Sequence, residues 1–182
     1  SLYFARCLAS GAPVFGEFPV DTGPVLLISK EDPPRLIQER LKAFGVNGPL
    51  PIHFCLTPFL YLDDSKVVTK VCRLIKTNGI KTVIVDSLRR VFKGEENSSQ
   101  VIAEIQKNFK IILGEDVTII FIHHHGKENF FKRNNADKLR GSSDILAMLD
   151  SLLIVDRKDD DTLKITQEVL RSDRPIQPFI VR

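Results

Sequence analysis

Three short runs in this chain, GPVLLIS (23–29), KTVIVD (81–86) and VTIIFI (117–122), are built around stretches that are apolar at every position. Successive side chains of a strand point to opposite faces. A strand apolar on both faces must therefore be covered on both, and this is the situation of a parallel sheet sandwiched between helices. The intervening segments supply those helices. DPPRLIQERLKAFG places prolines where a first helical turn tolerates them, repeats Leu36, Ile37, Leu41 and Phe44 at helical spacing and stops at Gly45. DSKVVTKVCRLIKTNG reads as a capped amphipathic helix ending at Gly79, and NSSQVIAEIQKNFKIILG gathers Ile102, Ile105, Phe109 and Ile112 on one side. PIHFCL (51–56) is a further strand, SLYFARCLASG part of an amphipathic helix and SSDILAMLDS a short one. SLLIVDR and TLKITQEVL read as two late strands split by the acidic turn KDDD. The fold class is α/β, with a mostly parallel central sheet, helices on both faces and late antiparallel strands.

A chain of 182 residues with 43% hydrophobic and 27% charged residues suits one domain with its own core. The net charge of +3 is compatible with a nucleic-acid partner without identifying one. No apolar run approaches the roughly 18 residues of a membrane span, and no signal-peptide pattern opens the chain. Cys7, Cys55 and Cys72 lack CxxC spacing and sit in apolar or helical contexts. They read as buried free thiols of a cytoplasmic protein.

Ligands of open parallel sheets bind beyond the carboxyl ends of the strands. There the sequence places Lys30, Glu31 and Asp32, then Asp86 and Ser87, then His123, His124 and His125. An aspartate closing four apolar residues is a Walker B pattern, able to hold Mg²⁺; it is also an ordinary turn or capping residue. Glu31 stands like a general base for water, or like a first-turn acid complementing a helix dipole. The histidines admit metal binding, a structural role or a sensor of phosphate. Consecutive strand residues diverge, which disfavours a shared ion.

In order along the chain, GPVLLISKEDPPRLIQERLKAFG, KTVIVDSLRRVFKGEENSS, IIFIHHHGK and KLRGSSDILAMLDSLLIV resemble the RecA-like ATPase core of RepA-type hexameric replicative helicases and related AAA-like ATPases. The resemblance implies a RecA-like P-loop NTPase fold over residues 1–182, with ATP and Mg²⁺ as ligands, single-stranded DNA as partner and assembly into a ring of identical subunits. It implies that Glu31 activates water, that Asp86 holds Mg²⁺ with Ser87 beside it, and that His123 and His124 contact the terminal phosphate. Lys127 and Arg40 match basic positions near the nucleotide. Arg171 matches a residue that reaches a neighbour's nucleotide, with Arg174 a competing candidate. The loop over 126–139, with Lys127, Lys132, Arg133 and Lys138, and Arg140 of the RGSS segment would face DNA; a mobile surface loop without a partner has the same composition. Glu95 and Glu96 contact metal or, with Asn97 and Ser98, cap the next helix.

The family's GxxxxGK[S/T] phosphate loop is not among these residues. The chain is expected to start just after it, so that the 182 residues alone bind ATP poorly. A RecA-like scaffold that no longer hydrolyses nucleotide is the alternative reading.

Overall fold

The computed structural model describes residues 1–94, 99–123 and 147–182, with Ser99 described by its backbone alone. The expectations on Glu95, Glu96, Asn97, Ser98, His124, His125, Lys127, Lys132, Arg133, Lys138 and the Arg140–Ser143 segment lie outside the described residues, as does most of the short helix read in SSDILAMLDS. The chain forms two compact units, Ser1–Lys138 and Leu139–Arg182.

The first unit is built on a four-stranded parallel sheet in the order β2-β1-β3-β4. Its strands are β1 (Val25–Ser29), β2 (Ile52–Cys55), β3 (Thr82–Asp86) and β4 (Thr118–Phe121). The two central strands are those with the longest apolar runs, and β1 is buried at all five positions. Alternation divides their side chains between two layers. Val25, Leu27 and Ile84 pack with Leu2, Ala5 and Ala9 of α1 (Leu2–Ser10). Ile37 of α2 (Pro34–Ala43) joins the same cluster. On the opposite face lie α3 (Ser65–Asn78), which buries Val68, Val71 and Ile75, and α4 (Ser99–Leu113). Phe109 of α4 meets Phe121 of β4 with ring centroids 5.9 Å apart. Each fully buried aliphatic side chain contributes about 1.5–3 kcal/mol relative to exposure.

Local signals set the helix ends. Asp64 accepts the backbone N–H of Lys66 at 2.8 Å and so caps α3. Gly79 closes α3 in the left-handed region, φ 58°, where a Cβ would be strained. α2 starts with Pro34 and ends at Ala43, with Phe44 as its cap one residue ahead of Gly45.

Helices flank the sheet on both faces, as expected. β2 and β4 are its outer strands, and no residue of either is fully buried. Position in the strand order, which runs of apolar residues do not encode, decides this. One expectation needs correction: of the cysteines only Cys7 is fully buried; Cys55 and Cys72 are half-buried, and burial still pushes both thiols up from their ordinary value.

The second unit is an antiparallel sheet, β5 (Ser151–Arg157), β6 (Leu163–Leu170) and β7 (Phe179–Val181), in that order. The KDDD segment forms the β5–β6 turn, where the Arg157 side chain bonds the carbonyls of Asp159 and Asp160. Ile165, in the middle strand, is 1% exposed and anchors the sheet.

Candidate nucleotide site at the carboxyl edge of the sheet

The parallel register aligns the strand ends. Ser29 pairs with Asp86, and Val85 pairs with Phe121. The pairing continues past the strands: Lys30 N–H donates to the Asp86 carbonyl at 3.3 Å, Ile122 N–H to Val85 at 2.9 Å and Leu88 N–H to Ile122 at 2.8 Å. Asp86 and Ser29 therefore leave the sheet side by side, two residues on from Ile84 and Leu27, on the face that α1 covers. His123 stands two residues past the end of the adjacent strand, β4. The peptide between Asp86 and Ser87 is cis.

Glu31 turns back over this edge. Its Oε1 accepts from the Ser87 hydroxyl at 3.1 Å and from Arg90 Nε at 3.2 Å. Ser87 is buried, while the Glu31 side chain keeps 32% of its surface exposed, enough to meet a bound water. Arg90 belongs to a 3₁₀ turn, Leu88–Val91, that starts at Ser87. Arg40 of α2 is ion-paired with Asp32, the neighbour of Glu31. The amino end of α1 adjoins the same group. Ser1 stands near Asp86, Arg40 and Asp32.

Lys30 points to a different set of partners. Its Nζ donates to the Arg90 carbonyl at 2.9 Å and lies 3.7 Å from the centroid of the Tyr61 ring. Burial lowers the pKa of this ammonium; Arg90 adds to the effect, and Asp63 and Cys55 oppose it. Lys93 Nζ lies over the same ring at 4.9 Å, and Lys93 N–H donates to Asp63 at 2.9 Å. This layer holds the 88–93 turn against the loop before α3.

Of the residues singled out in the sequence, the structure brings Glu31, Asp86 and Ser87 together. It sets Arg40 beside them through Asp32, and His123 two residues past the next strand end. Arg171 is in the second unit, where its backbone N–H donates to Asp150 at 2.9 Å and its guanidinium to the Ala147 carbonyl. Arg174 is exposed there. Sequence reasoning missed Arg90 and Tyr61. The SLRR segment directly after the Walker B aspartate was a signal for the first; nothing local marked Tyr61 as the ring under Lys30.

The donor set offered by Glu31, Asp86 and Ser87 is all oxygen and fits Mg²⁺, which takes carboxylate, hydroxyl and water ligands. Among the described residues no group of three His, Cys, Asp or Glu side chains is arranged to hold a metal by itself.

A family model described as an AAA domain matches residues 1–129. The chain belongs to the AAA domain family. Its match spans the whole parallel sheet, with Glu31, Asp86 and His123 inside it. Two solved structures share the fold of this AAA-family chain. One is described as an ATPase domain, with a TM-score of 0.69 at 15% identity over 86% of this chain and 70% of that one. The other is a DnaB-like replicative helicase, described with its interactions with primase; the TM-score is again 0.69 at 15% identity, over 86% of this chain but 47% of that one. The chain thus spans about half the length of that helicase chain. The fold is RecA-like, as the sequence resemblance implied.

Proposed function

We propose that this chain is the core of an ATP-hydrolysing motor that acts on DNA. The observation that carries the reading is the alignment of Ser29 with Asp86 and the return of Glu31 onto Ser87. Asp86, Ser87 and the oxygen-lined edge would hold Mg²⁺, which neutralises triphosphate charge when bound. Glu31, fixed by two hydrogen bonds yet open to solvent, accepts a proton from water attacking the terminal phosphate. Arg40, His123, His124 and Lys127 would bind the phosphates, and Arg171 would reach the nucleotide of a neighbouring subunit. The basic segment with Lys127, Lys132, Arg133, Lys138 and Arg140 would carry the contacts to single-stranded DNA. A ring of identical subunits follows from the same reading, because a trans-acting arginine needs a neighbour.

The test is Mg²⁺-dependent ATP hydrolysis by the full-length protein, with and without single-stranded DNA. Glu31→Gln preserves the shape of the side chain and removes the base. It should leave Mg-ATP binding near its original level and lower turnover by about 10²-fold or more. Equal losses in binding and turnover would make Glu31 a structural residue. ATPase activity indifferent to DNA would remove the helicase part of the reading and leave the ATPase.

A further inference from the structure

We propose that Arg90 is the positioning residue for Glu31. The inference rests on the reading of Glu31 as the water-activating base. A glutamate side chain has several rotatable bonds, and holding it in one geometry costs rotamer freedom that its hydrogen-bond partners must offset. A base that accepts a proton in the transition state must stand within hydrogen-bond reach of the attacking water, and displacement by an ångström is costly. Here both Ser87 Oγ and Arg90 Nε donate to the same oxygen, Oε1. Ser87 is 3% exposed and belongs to the frame of the sheet edge. Arg90 is the adjustable member of the pair, with 57% of its side chain exposed.

Arg90 is itself anchored from the end of β1. Its carbonyl accepts from Lys30 Nζ at 2.9 Å, and Lys30 is seated on the Tyr61 ring. Consecutive residues, Lys30 and Glu31, thus grip the main chain and the side chain of one arginine. The preceding arginine is placed differently: Arg89 donates to the Phe92 carbonyl at 3.4 Å and lies over the Phe92 ring. Two adjacent guanidinium groups of equal charge therefore have separate tasks, Arg89 closing the 3₁₀ turn and Arg90 aiming the carboxylate.

The experiment is steady-state ATP hydrolysis by the full-length protein and its Arg90→Ala, Arg90→Lys, Arg89→Ala, Glu31→Gln and Glu31→Gln/Arg90→Ala variants, with thermal unfolding of each. Arg90→Ala should lower kcat by about 10-fold, the low end of what a misplaced base forfeits, while KM for ATP stays within about twofold. Arg90→Lys should restore part of kcat, and Arg89→Ala should change kcat less than Arg90→Ala does. In the Glu31→Gln background Arg90→Ala should cost nothing further, because the group it aims is gone. The melting temperatures of the two single variants should combine non-additively. A kcat loss of the same size in both backgrounds, a KM rise at constant kcat, or faster turnover in Arg90→Ala would each overturn the proposal; the last would make Arg90 a restraint on the base. A wild-type protein without ATP turnover would instead bring down the ATPase reading, and this inference with it, whatever the variants do.

Discussion

Asn108 offers a test of how the loop before α3 is held. It lies on α4 with 1% of its surface exposed, and its Nδ2 donates to the Leu62 carbonyl at 2.6 Å. Among the described residues its Oδ1 is buried without a hydrogen-bond donor. Leu62 N–H in turn donates to Val91, so this one bond ties α4 through Leu62 to the turn that carries Arg90. Asn108→Asp replaces the donor with an acceptor and sets a carboxyl against a carbonyl. Ionised, the carboxylate leaves the Leu62 carbonyl unsatisfied, at about 1–3 kcal/mol; protonated, its O–H can donate to that carbonyl in place of Nδ2. A buried carboxyl without a cation folds in its neutral form, and a pKa raised by about 3 units costs about 4 kcal/mol at neutral pH. The protonation cost alone approaches the lower end of the whole stability of an ordinary domain, about 5–15 kcal/mol. Asn108→Ala strands the carbonyl, but it removes the unpaired Oδ1 and adds no charge; its loss should stay near 1–3 kcal/mol. The assay is urea unfolding of the wild type and both variants at pH 8 and pH 5. The introduced carboxyl binds its proton more tightly folded than unfolded, so the folded state is favoured as pH falls through the raised pKa toward about 3.9. The gap between Asn108→Asp and Asn108→Ala should be wide at pH 8 and narrow at pH 5. Equal stabilities at pH 8, or a gap independent of pH, would refute the placement of Asn108 against Leu62.

The same loop and its helix yield two further tests. Burial lowers the Lys30 pKa, so the folded state binds this proton less well than the unfolded chain. Lys30 therefore destabilises the fold below its depressed pKa, and stability should rise as pH climbs from there to the unfolded value near 10.5. Lys30→Met should lack that rise, and stability curves that run parallel for the two proteins would contradict it. Asp64→Ala removes the α3 cap and should cost about 1 kcal/mol in urea unfolding, with Asp64→Asn restoring most of it.

What the sequence disclosed about this protein follows the range of the interactions involved. Helix ends are local, and Gly79 and the residues ahead of α3 marked theirs. Central strands β1 and β3 announce themselves by their apolar runs, and the candidate site follows from where those runs stop, hence Glu31 and Asp86. β7 has only three strand residues, FIV, too short a run to carry a periodicity. The half-burial of β2 and β4 depends on strand order, a property of the assembled sheet. Arg90 meets Glu31 across 59 positions of chain, and Tyr61 meets Lys30 across a helix and a strand. Neither pairing follows from spacing; each depends on which strands lie side by side and on how the loops after them fold. Asn108 has the look of a polar interruption on an apolar helix and is instead the clip on the neighbouring loop.

The unshifted pairing of Ser29 with Asp86 has a bearing on how such a protein tolerates change. One residue inserted within β3 would carry Asp86 forward by about 3.3 Å and turn it to the opposite face of the sheet. Glu31 would then close over an empty edge, although every contact of the loops remained chemically possible. Extra residues in the exposed turn around Gly48 would leave that alignment untouched. Length variation in relatives, and room for tags or grafted segments in engineered forms, should therefore concentrate in such connections, with the strands β1 and β3 acting as a ruler of constant length.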